Sequence, residues 1–182
     1  MTTKPIQKII INYGLISGII VSVLMLSSVN YLSHCEGSID FDVSIIIGYT
    51  SMLLSFTLVF LGIRNFRDKC NEGMITFGNA FKIGILIVLI ASTIYVFAWL
   101  IDYFFFIPDF MEKYAAQMLD ELKASGASQA IIDEQSKEMA NFAEMYKNPF
   151  FNALMTYTEI LPVGLIVTLI SSLILKRKTV IN

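Results

Sequence analysis

Apolar residues along this chain gather in four long blocks, at about residues 9–32, 43–63, 80–107 and 150–175. A helix needs roughly 20 apolar residues to cross a hydrocarbon core about 30 Å thick, and each block meets that length. Lipid offers no water to a bare backbone group, so each block is predicted to be an α-helix. The third block is the longest and predicts a helix that tilts or projects beyond the lipid.

Between the third and fourth blocks the pattern changes. Met111, Tyr114, Met118 and Leu122 recur at helical spacing. After Ser125 and Gly126, a second stripe follows through Ile131, Gln135, Met139, Phe142 and Tyr146, with one polar member. Gly126 suits the end of the first helix and Ser128 suits the cap of the second. Pro149 then opens the fourth block. Residues 109–148 are thus predicted to form two amphipathic helices in a hairpin. The predicted fold class is all-α. Residues 1–182 form one membrane domain, a four-helix transmembrane bundle with an extracytoplasmic helical hairpin between the third and fourth spans.

Lys4 and Lys8 before the first block are what a signal peptide would show. The apolar run is longer than the usual ~7–15 residues of such a peptide, and His34 before Cys35 disfavours a lipoprotein cleavage box. An uncleaved anchor is the expectation.

Composition agrees with a lipid solvent. The chain of 182 residues is 55% hydrophobic and 15% charged, whereas soluble domains carry about 25% charged residues. Mean hydropathy is +0.67. A net charge of -2 leaves no basic surplus for nucleic-acid phosphates. The basic residues are placed unevenly. Lys4 and Lys8 precede the first block, Arg64, Arg67, Lys69 and Lys82 stand between the second and third, and Lys176, Arg177 and Lys178 follow the fourth. The loop between the first two blocks holds Glu36, Asp40 and Asp42 and no Lys or Arg. Three basic clusters therefore agree on one side, the cytoplasmic one, with both termini there. The segment Pro108 to Asn148 falls on the far side, and its acids outnumber its lysines. Surface-binding helices usually carry Lys and Arg, so that excess disfavours adsorption to anionic lipid. Self-packing or a protein partner is the favoured cover for the hairpin.

Trp99, Tyr103, Phe104, Phe105 and Phe106, with Phe150 and Phe151, crowd the outer ends of the third and fourth blocks, as in an aromatic belt. Plain helix packing is the alternative for some of them. Gly14 and Gly18 form a GxxxG, and Gly48, Ser51 and Ser55 mark one side of the second block. Both sets permit close contact, within the chain or between chains.

Candidate chemistry is sparse. Cys35 and Cys70 fall on opposite sides of the membrane, and the lone His34 has no second histidine with which to share a metal. HExxH, GxSxG and the Walker loop are absent. No catalytic, cofactor-binding or metal-binding residue is assigned. An ionisable group inside a span is a functional hypothesis by default. Glu159 lies nine residues into the fourth block, about 13 Å deep at the helical rise per residue. It is either a proton-exchanging site or structural glue, with Ser92, Tyr95 and Tyr157 at a suitable depth. Asp102 lies about 7 Å from the outer end of the third block and is expected to be a wet, solvated acid. Pro162 and Gly164 follow Glu159 and suggest a kink beside it. Arg64, Arg67, Lys69, Lys82, Lys176, Arg177 and Lys178 read as cytoplasmic anchors, with a lipid-headgroup contact by the first four as the alternative.

Arg67-Asp68-Lys69 and the run Gly73-Met74-Ile75-Thr76-Phe77-Gly78-Asn79-Ala80-Phe81-Lys82-Ile83-Gly84 lead into the third block. With Glu159, Pro162-Val163-Gly164 and Ile170-Ser171-Ser172-Leu173-Ile174-Leu175-Lys176-Arg177-Lys178, they resemble the bacterial domain-of-unknown-function family 4199. The resemblance spans nearly the whole chain. It implies a small four-helix protein of the bacterial inner membrane and implies no activity. Physically, Gly73 can close a turn, Thr76 can cap the third helix, and Lys82 can snorkel to the cytoplasm.

Two functional expectations follow. The first is a non-enzymatic structural or accessory protein in the lipid bilayer, with a protein partner or a second copy met through the hairpin. The second is a small oligomeric proton-coupled transporter that uses Glu159.

Overall fold

The computed structural model describes residues 3–34 and 41–177. Cys35, Glu36, Asp40 and Lys178, and the side chains of Lys4, His34 and Asp42, lie outside the described residues. The elements in order are α1 (Thr3–His34), α2 (Phe41–Cys70), α3 (Phe77–Phe105), α4 (Phe110–Ala124), α5 (Gln129–Tyr146) and α6 (Pro149–Leu175). No strand occurs among the described residues. A single antiparallel bridge pairs Ile75 with Arg177.

Four helices are long and apolar enough to span a membrane, over Pro5–Val29, Ile45–Cys70, Phe77–Phe105 and Pro149–Leu175. The first, third and fourth begin ahead of their apolar blocks and the second runs on to Cys70, while the third stops at Phe105, short of the end of its block. The backbone N–H of Asn79 donates to Thr76 Oγ1 at 3.3 Å, so α3 starts at this cap. Asn148 Oδ1 accepts from the N–H groups of Phe150 at 2.9 Å and Phe151 at 3.4 Å, with Pro149 as the first residue of α6. Pro149 opens this helix as its sequence position predicts. Asn148 does the hydrogen bonding.

Contacts divide the chain into two compact units: Met1–Ala98 with Tyr157–Asn182, and Trp99–Thr156. In the first, α1 and α2 are joined by the Ser17 hydroxyl donating to the Ser55 carbonyl at 2.9 Å and by Asn65 Nδ2 donating to the Tyr13 hydroxyl at 3.2 Å. Gly14 and Gly18 face α3. A Cβ on Gly14 would lie 2.8 Å from Ile90 Cβ, and one on Gly18 would lie 3.0 Å from Ala91 Cα. This GxxxG therefore serves contact within the chain. Gly84 approaches Thr168 and Ile63, and Gly164 approaches Val88 and Phe56. Gly48 meets no described residue within 4 Å, and burial on its side of α2 begins one turn later, at Met52, and continues through Ser55.

The distribution of polarity in this unit is that of a membrane bundle. Ser17, Ser22, Ser55, Ser92, Thr168, Ser171 and Ser172 are buried, while Ile46, Leu54, Phe97 and Ile174 are all more than 60% exposed. Small hydroxyl residues let helices approach closely, and an apolar outer face costs nothing against lipid.

In the second unit, α4 and α5 pack against one another. Gly126 takes the left-handed conformation (φ +79°), and the Ala127 N–H closes α4 onto the Leu122 carbonyl at 3.3 Å. Ser128 occupies the N-cap position of α5, but its hydroxyl makes no cap bond. The packed stripe of α5 is offset from the predicted one. Ile131 is 50% exposed, and Ile132 instead joins Gln135, Met139, Phe142 and Tyr146 as half-buried positions. Both isoleucines stand at helical spacing from Gln135, at four and three residues, and it is Ile132 that turns to the packed side.

Candidate functional site

The rotation of α6 decides where Glu159 points. Ile160, Gly164, Thr168, Ser171, Ser172 and Leu175 are buried and recur at helical spacing. Tyr157 and Thr93 share a hydroxyl hydrogen bond at 2.9 Å. These contacts fix the inner face. Glu159 precedes Ile160 by one residue, about 100° round the helix, and is exposed. Among the described residues it has no hydrogen-bond or ion-pair partner. The structure does not join it to Ser92, Tyr95 or Tyr157. Ser92 is fully buried with an unpaired hydroxyl, and Tyr157 is engaged by Thr93. The expectation of structural glue within the chain is therefore corrected. α6 also continues as helix through Pro162. Gly164, which the sequence reading grouped with a kink, is a close-packing site against Val88 and Phe56.

Asp102 is the reverse case. It was expected to be wet at the rim, yet it is 4% exposed in the second unit. Its Oδ2 is buried without a hydrogen-bond partner. Its own carbonyl accepts from the N–H groups of Phe106 at 2.8 Å and Ile107 at 3.0 Å, which ends α3. The burial follows from position: Asp102 stands one turn after Trp99, on the face that packs.

The aromatics divide between packing and rim. Trp99 and Tyr103 are buried, whereas Phe105, Phe106 and Phe150 are exposed. Trp99 Nε1 donates to Asn152 Oδ1 at 2.9 Å, and the Trp99 ring meets Phe110 edge-on at 5.1 Å. Tyr146 packs edge-on against Tyr103 at 5.5 Å, and Phe142 packs against Phe151 at 5.9 Å. The belt reading fits the exposed set. Helix packing accounts for Trp99 and Tyr103.

The basic residues also differ among themselves. Arg64, Lys69, Lys82, Lys176 and Arg177 are exposed. Arg67 is 8% exposed, so it is not available as a surface anchor. Its Nε donates to Asp68 Oδ1 at 2.6 Å and its Nη1 donates to the Leu175 carbonyl at 3.4 Å. A guanidinium there satisfies a terminal carbonyl and complements the negative end of the α6 dipole. The Arg177 N–H donates to the Ile75 carbonyl at 2.9 Å, and Ile75 is buried. Gly73, with φ +77°, turns the chain after α2 and donates its N–H to the Arg67 carbonyl at 2.9 Å. The run from Arg67 to Ile75 and the end of α6 thus form one structural fastening. Sequence reasoning placed these residues separately and missed the pairing.

Outside the spans, ordinary surface electrostatics prevail. Asp109 Oδ2 pairs with Lys113 Nζ at 2.8 Å, and that hydrogen bond holds the Asp109 carboxyl below the usual carboxylate range. Burial raises the Tyr114 hydroxyl above its ordinary value, and Glu121 adds to the shift. No group of three or more His, Cys, Asp or Glu side chains able to hold a metal occurs among the described residues.

Four spanning helices, an apolar exterior and a hydroxyl-rich interior define a helical membrane protein with a second compact unit of paired amphipathic helices. Residues 12–177 match the family described as Protein of unknown function (DUF4199), and the chain belongs to that family. No curated protein matches it, and no solved structure does.

Proposed function

We propose that the chain is a non-enzymatic structural or accessory protein of the bacterial inner membrane that meets a protein partner through α4 and α5. In this reading both termini are cytoplasmic, where the three basic clusters stand, and the α4–α5 hairpin is on the opposite side. The observation that carries the proposal is incomplete burial. α5 has no buried residue, α4 has only Met111, and Ile131 and Met145 are each 50% exposed. Apolar side chains left open on an acidic helix pair favour a protein cover over anionic lipid.

The test is site-specific photocrosslinking in intact membranes from Ile131 and Met145, with exposed Lys137 as the polar-face control. A discrete adduct from the first two positions and not from Lys137 supports the reading. Contacts within the chain alone overturn it.

A second reading, a small oligomeric proton-coupled transporter, is favoured by one observation: Glu159 is exposed on an apolar span. Unchanged proton flux in a Glu159→Gln variant reconstituted into vesicles would remove its basis.

A further inference from the structure

We propose that the outward face of α6 is the seam of a homodimer in which Glu159 of one copy hydrogen-bonds Glu159 of a second copy. α6 runs Pro149–Leu175, so Glu159 lies about 15 Å from one end and about 24 Å from the other at the helical rise. Neither distance is within reach of a glutamate side chain, so its carboxyl cannot snorkel to water. The inner face of α6 is occupied by Ile160, Gly164 and Thr168, and no described residue pairs with the carboxyl. α6 carries no Lys, Arg or His of its own. Against lipid alone, this group would bear the full cost of an unmade hydrogen bond in hydrocarbon.

The surroundings of Glu159 form a seam. Glu159, Pro162, Ile166, Leu169 and Leu173 are all exposed and follow one another at alternating spacings of three and four. That is the spacing at which one helix meets another along its length. Glu159 is the only ionisable member, and the others offer no side-chain hydrogen bond to a partner of different chemistry.

A second copy fits for two reasons. A protonated carboxyl has one O–H donor and one carbonyl acceptor, so it is complementary to itself. A two-fold axis running along the seam sets a residue beside it against its own counterpart, and two copies inserted in the same direction hold Glu159 at the same depth. This seam is on a different helix from the partner surface proposed for α4 and α5, so either can fail without the other.

The test uses the full-length chain carrying Cys35→Ser and Cys70→Ser, with one cysteine introduced by Ile166→Cys, two helical turns along the seam. Two differently tagged copies are co-expressed and oxidised in intact membranes. A disulfide joining both tags is expected with Glu159 and with Glu159→Gln, whose amide also donates and accepts. Glu159→Leu, which remains suited to lipid, is expected to lower the dimer about tenfold, the loss of two interhelical hydrogen bonds. Three results each overturn the proposal. One is an equal yield with Glu159→Leu. Another is an adduct with a different protein in place of the second copy. The third is no adduct from Ile166→Cys while monomer is abundant in the membrane.

Discussion

Replacing Asn152 tests whether the second unit is held by a specific polar pair or by aromatic packing alone. Trp99 is the only tryptophan, and its Nε1 donates to Asn152 Oδ1 at 2.9 Å. Asn152 is fully buried and also donates to the Tyr146 carbonyl at 3.4 Å. Asn152→Leu preserves volume, so the cavity cost is small. It leaves the indole N–H buried without an acceptor. An orphaned buried donor costs about 1–3 kcal/mol, and interhelical hydrogen bonds in membranes measure about 0.6–1.7 kcal/mol. The 3.4 Å bond is too long to add much. The expected loss is therefore about 1–2 kcal/mol. Trp99→Phe also destabilises, because its edge-on contact with Phe110 changes. In the double variant the orphaned N–H no longer exists, so the two losses should fall short of additivity by about 1 kcal/mol. Unfolding by SDS in mixed micelles, followed by far-UV circular dichroism, gives all four corners of the cycle. Asn152→Leu should also shift the emission of the lone tryptophan to shorter wavelength, since the indole loses a polar contact. Additivity within about 0.3 kcal/mol would refute the pairing as a source of stability.

Two further outcomes follow from the first unit. Gly164→Val should destabilise by about 1–3 kcal/mol through overpacking, because a Cβ there would approach Phe56 Cζ to 3.2 Å; Gly48→Val, which meets nothing within 4 Å, should be close to neutral in the same SDS titration. Arg67→Gln should loosen the end of α6 by about 1–2 kcal/mol, seen as faster amide exchange over residues 172–177, whereas a surface anchor would leave that exchange unchanged.

The sequence disclosed the four spans well because lipid acts on every residue of a block in the same way. Length and apolarity suffice for that, and Thr76 and Gly126 marked helix ends by local chemistry that needs no tertiary partner. Rotation about each helix axis was harder to read. In water, the contrast between polar and apolar faces reveals it, as along α4 and α5, and even there Ile131 and Ile132 differ by one position. In lipid both faces are apolar and the contrast vanishes. The informative residues are then the small ones. Gly164, Thr168 and Ser172 mark the inner face of α6. Glu159 is five residues before Gly164, which places it about 140° away. Its outward direction was thus present in the sequence, through the glycine and not through the acid. Asp102 could have been placed the same way, one turn from Trp99, had the indole been read as packed.

This contrast also separates the polar residues that call for a function from those that do not. The hydroxyls of Ser55, Thr93, Thr156 and Ser172 each donate to the carbonyl one turn back, at 2.7–2.9 Å. Such residues carry their own acceptor and can face protein or lipid at little cost. A neutral hydroxyl that misses this bond, as at Ser92, leaves one weak donor unmet. A carboxyl presents more to satisfy, and its cost in hydrocarbon grows steeply if it ionises. Glu159 and Asp102 are the acids within α6 and α3, and among the described residues neither side chain has a hydrogen-bond partner. Asp102 is enclosed by its own chain, which limits what can reach it. Glu159 is open at mid-span, and the proposed seam would satisfy it from a second copy within the membrane.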